Sequence, residues 1–470
     1  MGLIFLLRWG ASQRLILAAT LLWWVGVLPC PAAHSLSWKK NPDRVSADIS
    51  RAPLTEVLKM IGDATGWDVY VQPDTEHVAD VRFVDRPTSD GLKLLLGDLN
   101  YALLTEDGRK RLMVFRTGVG EATLLIGVSK DPRENTSLPI PTELVVTVKA
   151  GVDIDALAKK YRGKVTGRLE ALRTYRLEFE TAEDAAKALK ELEKDPDVEQ
   201  VQQNYYVEKP TDLKDLDATP LAELGLKPSN STDPNDCDKV IIGLIDTTTL
   251  RDTTGAKGGS KVDSFLLPQI DVAGPSATTY TSPPHGRSMA EAILRSADFS
   301  SQGKAKLQIL PVNVYGANTQ ASTYDVANGV YRAINAGAKI INMSLGSEAQ
   351  SPFLAQVIRQ GKAQDVLFIA AAGNKPTTTA TYPAADPSVL AVTASDRTGN
   401  LANYANRGNF VDVIAPGSSV FQFNGQHYLS TGTSVATAYV SGLASAMADP
   451  CKKSYSSIDS QIRQNLAIKK

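Results

Sequence analysis

The segment Ser430-Thr-Gly-Thr-Ser434-Val-Ala-Thr-Ala-Tyr-Val-Ser-Gly442 places a hydroxyl where a tight turn enters an apolar helix. Gly432 permits the turn. A group at a helix N-terminus meets unpaired backbone N–H groups and the positive end of the macrodipole. That setting suits a nucleophile whose reaction creates negative charge on its substrate. Alone, the segment reads equally as a serine capping a core helix. Asp246 ends the apolar run Val240-Ile-Ile-Gly-Leu-Ile, and a carboxylate at the end of a buried strand needs a partner. The C-terminal half offers two histidines. His285 opens a helix carrying Met289, Ala290, Ile293 and Leu294; His427 lies on the turn Asn424-Gly-Gln-His427. Composition therefore points to His285 as the base. A hydroxyl, a base and an orienting carboxylate are the parts of nucleophilic acyl transfer.

These residues need a scaffold. Apolar runs at 240–245, 307–314, 340–343, 366–371, 389–393 and 411–414 alternate with helical stretches near 288–296, 324–336, 351–362 and 434–447. That alternation predicts an α/β fold, a mostly parallel sheet covered by helices on both faces. Ligands of such sheets bind at the carboxyl ends of the strands, where the polar residues above fall. Two small α+β domains precede it. Residues 38–120 read as β-α-β-β-α-β-β, with no chemistry and with His77 at the surface. Residues 143–208 read as β-α-β-β-α-β, a ferredoxin-like order. Thr181 and Asp184 open its second helix as a variant capping box. The polar, proline-rich stretches 121–142 and 209–236 read as linkers.

At 470 residues the chain is long enough for two to four domains. A hydrophobic share of 43% and a charged share of 21% are those of a globular protein. A net charge of -1 leaves no basic excess for nucleic acid. Arg8 and Arg14, the apolar run Leu15 to Leu28 and the small residues after Pro29 predict a signal peptide over 1–33, with an uncleaved anchor as the alternative. The destination is then outside the cell or in the periplasm or cell envelope. Of three cysteines, Cys30 leaves with the signal. Cys237 and Cys451 bracket the last domain, as a disulfide closing a long loop (about 4–5 kcal/mol in the chain-entropy model) or as two buried thiols.

Five motifs in order make the last domain, 237–470, resemble a subtilase, a subtilisin-like serine protease: Gly243-Leu-Ile-Asp246, His285-Gly286, Asn342-Met-Ser-Leu-Gly346, Ala370-Ala-Ala-Gly-Asn374 and Gly432-Thr-Ser434-Val-Ala-Thr437. The resemblance implies a subtilisin-like sheet and a secreted endopeptidase acting on proteins or peptides. In it Ser434 attacks, His285 is the base, Asp246 orients the base, and Asn374 with the Ser434 N–H binds the oxyanion. Ser344, Leu345 and Gly346 would pair with substrate backbone, and Ala371, Ala372 and Gly373 would wall the specificity pocket. Lys375 at the rim either favours acidic side chains or is simply solvated. The ending Asp197-Val-Glu-Gln-Val-Gln-Gln-Asn-Tyr-Tyr resembles that of subtilisin-type propeptide domains. It implies that 143–208 is an intramolecular inhibitor. The apolar spacing of 38–120 resembles the short N-terminal domain of secretins and TonB-dependent receptors, which implies an envelope or secretion-complex partner. No cofactor is required. A structural calcium ion, common among subtilases, has one candidate, the acidic run Asp233–Asp238, which reads first as a solvated loop. Departures from the family pattern are Thr248 for glycine, Arg287 and Ser288 after the histidine motif, and Ala438 for proline. They leave an inert binding or assembly protein of the same fold as the alternative.

Overall fold

The computed structural model describes residues 34–40, 43–72, 75–106, 109–117, 124–126, 138–210, 213–216, 223–228, 239–250, 261–276, 280, 282–449 and 454–468. The segment 1–33, all three cysteines and the acidic run 233–238 lie outside the described residues. Among the described residues no helix is long and apolar enough to cross a membrane.

The large domain is built on seven strands in the spatial order Ile270–Asp271, Leu307–Asn313, Val240–Asp246, Ile340–Met343, Leu367–Ala371, Val389–Ser395 and Val413–Pro416. Every neighbouring pair is parallel. The first of these strands in the chain thus lies inside the sheet. The chain winds out to one edge, returns, and continues on the other side of Val240–Asp246. Such a reversal opens a crevice at the carboxyl ends of the strands. Alternation along the first strand explains the two layers. Val240, Ile242 and Leu244 enter a core with the helices His285–Ser301 and Thr433–Met447. Ile241 and Ile245 enter a core with the helices Thr323–Asn335 and Pro352–Ala363. The expected α/β architecture is present.

Residues 139–208 form strand Pro139–Val148, helix Ile154–Lys160, strands Lys164–Leu169 and Thr174–Glu178, helix Ala182–Leu192 and strand Val198–Glu208. Thr181 accepts from the Asp184 N–H at 3.1 Å, as expected of a cap. Asp184 answers by accepting from the Thr181 hydroxyl at 2.8 Å rather than from its backbone. The sheet gains a fifth strand, Gln320–Ser322, from the large domain. Two further side chains dock the units together. Gln202 Oε1 accepts from the Phe353 N–H at 2.8 Å, and Asn204 Oδ1 accepts from the Tyr324 N–H at 3.0 Å. Both donors belong to first helical turns, which lack intrahelical acceptors.

The N-terminal unit shows the expected β-α-β-β-α-β-β order, preceded by strand Ser35–Lys40 and followed by Leu124–Leu125. Its helices Leu54–Thr65 and Thr88–Leu96 close over Val57, Leu58, Ile61, Leu92 and Leu95. His77 is not a free surface residue: its Nε2 lies 3.1 Å from the Leu95 carbonyl, tying strand to helix. The stretch 209–236, read as linker, contains strand Leu213–Leu216 and the segment 223–228, whose Leu224 and Leu226 are buried in the core of the large domain.

Candidate active site

Asp246 leaves the sheet at the crevice and is fully buried. Both of its oxygens lie 2.9 Å from Nδ1 of His285, the first residue of its helix. The Thr247 N–H donates to Oδ1 at 2.6 Å and fixes the carboxylate from behind. The Thr247 hydroxyl accepts from the Gly286 N–H at 2.8 Å. A Cβ on Gly286 would stand 2.3 Å from the Thr247 carbonyl, so only glycine lets the two segments close. Thr248 is absent from the residues with positive φ. Its hydroxyl instead donates to Gln269 at 2.9 Å, so the turn holds without the family's glycine.

Ser434 is the second residue of helix Thr433–Met447, not its cap. Its hydroxyl donates to the Ser344 carbonyl at 3.3 Å. The Ser344 hydroxyl donates to the Ser434 carbonyl at 3.1 Å. Asn342 donates to Ser344 Oγ at 2.9 Å and accepts from Ser441 at 2.9 Å, which locks strand and helix together. Asn374 Oδ1 accepts from the Thr433 N–H at 2.8 Å and the Thr433 hydroxyl at 3.0 Å. A backbone N–H can only donate, so the amide flip is determined and Nδ2 is the donor end. Gly373, with φ +108, brings its own backbone against the Asn406 amide; a Cβ would lie 2.6 Å from Nδ2. Roles for Thr247, Asn342, Asn406, Thr433 and Ser441 were not assigned from the sequence. Asn342, Thr433 and Ser441 stand inside the quoted segments, which is the available signal.

A cleft of about 250 Å³ opens beside Ser434. Ser344, Leu345, Gly346, Ala371, Gly373 and Asn374 line it, and Ala372 is buried behind them. The cleft is also lined by Glu208, Lys209 and Pro210 of the chain's own earlier segment. That segment enters as a strand: Tyr206, Val207 and Glu208 pair antiparallel with Ser322, Ala321 and Gln320. The Gln320–Ser322 edge was not anticipated from sequence. Lys375 Nζ reaches Glu208 at 3.9 Å, with both side chains partly exposed, a pair worth at most about 1 kcal/mol. Among the described residues, none lining the cleft comes from the N-terminal unit.

Arg287, a departure from the family pattern, is fully buried. It pairs with Asp263, donates to the Leu250 carbonyl at 3.1 Å and lies 5.7 Å from the Phe423 ring centre. It therefore ties the histidine helix to the turn Lys261–Phe265 and to the hairpin ahead of Ser434. Removing one partner of a buried pair leaves an uncompensated charge, typically at a cost of about 3–5 kcal/mol. Asp263→Ala should lower the melting temperature by on the order of 10 °C. A shift under 2 °C in differential scanning calorimetry would discount the clamp.

Residues 238–464 match the model of the subtilase family, and residues 131–204 match that of the fervidolysin N-terminal prodomain. Subtilisin BL of Lederbergia lenta is 35% identical over 161 residues, 34% of this chain and 59% of that protein. Thermitase of Thermoactinomyces vulgaris is 33% identical over 166 residues, 35% of this chain and 60% of that protein. Alkaline elastase YaB of a Bacillus strain is 38% identical over 157 residues, 33% and 41% of the two chains. The chain thus spans about four- to six-tenths of the length of these relatives. Fervidolysin of Fervidobacterium pennivorans superposes with a TM-score of 0.50 at 20% identity over 66% of this chain and 55% of that one. The fold of the large domain is subtilisin-like.

Proposed function

We propose that this protein is a serine endopeptidase, made as a precursor that blocks its own cleft and exported from the cytoplasm. Two observations carry the reading: the buried Asp246–His285 hydrogen bond, and a cleft lined by Ser434, Asn374 and the chain's own Glu208, Lys209 and Pro210. Each part has a chemical task. Ser434 Oγ turns from the Ser344 carbonyl toward the substrate carbonyl and forms the acyl bond. His285 takes its proton at Nε2 and returns it to the leaving amine. Asp246 holds the Nδ1–H and stabilises the imidazolium. Asn374 Nδ2 and the Ser434 N–H receive the oxyanion. Water then repeats the sequence on the acyl-enzyme. The substrate enters extended, as Tyr206–Glu208 does, and Lys375 suits an acidic side chain where Glu208 now lies. Among the described residues no group of three or more His, Cys, Asp or Glu could hold a metal, and no step uses calcium. Export rests on the segment 1–33. A fluorophosphonate probe tests the mechanism. It should label Ser434 alone in the processed chain and fail in His285→Ala; labelling indifferent to that substitution would overturn the reading.

The docked unit 139–208 carries a pH signature. Burial raises the Glu143 carboxyl above its usual range, with Asp325 and Glu178 adding to the rise and Arg176 and the Asn204 amide opposing it. Asn204 Nδ2 donates to Glu143 at 2.7 Å, and Arg176 bonds Asp325 at 3.3 Å across the interface. An acid raised in the folded chain takes up a proton on folding. Its favourable contribution is full below the unfolded value and is lost as pH rises through the raised one. The melting temperature should therefore fall as pH climbs above the unperturbed value of 4.5. Glu143→Gln should flatten that dependence; an unchanged profile in the variant would count against it.

A further inference from the structure

The chain enters the cleft as one strand and leaves it as another. Glu208 is paired with Gln320, and Lys209 and Pro210 lie in the cleft with Ser434. Leu213, Lys214, Asp215 and Leu216 then pair antiparallel with Ser430, Leu429, Tyr428 and His427. From Pro210 to Leu213 is three residues, a reach of at most about 10 Å. The partner strand Gln426–Thr431 runs through Gly432 directly into the serine helix. It is the middle strand of a three-stranded sheet, with Ser418–Phe423 on its other side. Without Leu213–Leu216 it would be an edge, with backbone groups ready to take another extended chain. A substrate's leaving-group side would approach in the same direction as this segment does.

Leu213–Leu216 is held close after any cut ahead of it. Leu224 and Leu226 are buried in the core of the large domain, and the Gly225 N–H donates to Asp298 at 2.9 Å. About eight residues link the strand to this anchor. Short flexible tethers give effective concentrations in the millimolar range, and Michaelis constants commonly lie between about 1 μM and 1 mM. The tethered strand therefore competes at or above the level of a free substrate.

We infer that the Gln426–Thr431 edge is the binding site for the leaving-group side of a polypeptide, and that Leu213–Leu216 stays on it after maturation as an intramolecular competitor. This rests on the endopeptidase reading. The processed chain bears a second brake, distinct from the 139–208 unit, acting only on substrates that extend past the cut bond.

Two substrates separate the cases: a peptide anilide with residues on the acyl side alone, and a quenched peptide with four residues beyond the bond. Inserting twenty Gly/Ser residues after Ala218 lengthens the tether without touching either strand, and should dilute the competitor roughly sixfold. The Michaelis constant for the extended peptide should fall several-fold, with the anilide unchanged. Lys214→Pro with Asp215→Pro, which removes backbone donors from the ladder, should give the larger gain, about tenfold in kcat/KM. Hydrolysis of both substrates with no gain on the extended peptide, or an equal gain on both, overturns the competitor alone. Hydrolysis of neither by any form overturns the endopeptidase reading and this inference with it.

Discussion

Ser434→Ala leaves the precursor at full length and lowers peptide turnover by about a million-fold, or about 8 kcal/mol in the barrier. The magnitude is the one found when the nucleophile of a subtilisin is removed. The substitution deletes the proposed attacking oxygen and little else. The oxygen's one hydrogen bond described here is to the Ser344 carbonyl at 3.3 Å. The Asp246–His285 pair and the Asn374–Thr433 bonds do not involve it. Melting temperature should therefore stay close to that of the parent, which separates lost chemistry from lost fold. Gel electrophoresis and intact-mass measurement after expression give the length, and a quenched peptide gives the rate. Conversion of the variant to the same fragments as the parent, at the same rate, would show that Ser434 is not the nucleophile.

Asp246→Asn lowers turnover by about 10⁴-fold with little change in the Michaelis constant. The side chain is isosteric and the Thr247 N–H can still donate to its oxygen. The loss comes from the imidazole. A carboxylate only accepts, so it holds the Nδ1–H and leaves Nε2 as the base. An amide can present NH₂ to Nδ1 and drive the proton to Nε2, which can then no longer accept one. Burial makes the effect severe, because both residues are shielded from solvent. Steady-state kinetics beside a fluorophosphonate labelling rate would check it. A loss under tenfold would demote Asp246 to a structural partner.

Much of the candidate site was legible because its residues sit where patterns end. Asp246 closes an apolar run whose alternation feeds two cores, and His285 was singled out by scarcity and by its helix. What remained hidden are pairings written in two distant places. Gln320–Ser322 is short and polar, with no period of its own; it becomes a strand through Tyr206–Glu208. Leu213–Leu216 lies in a stretch of charges and proline, and it becomes a strand through the hairpin beyond residue 417. Arg287 looked like a defect because its partner Asp263 is 24 positions away and only the fold joins them. Local sequence reports what an element can bury, not which edge will receive it.

The strand order sets a schedule for synthesis. Val240–Asp246 lies between Leu307–Asn313 and Ile340–Met343, so neither flank exists when it leaves the ribosome. At about 5–20 residues per second, it stays unpaired for several seconds. Such non-local parallel pairing is slow and exposes sticky edges meanwhile. Residues 139–208 have by then all emerged, and their core is drawn from that stretch alone. Their last strand waits for Gln320–Ser322, which arrives after one flank and before the other. This completed surface thus meets the nascent sheet at its midpoint, when it has an open edge and no second neighbour.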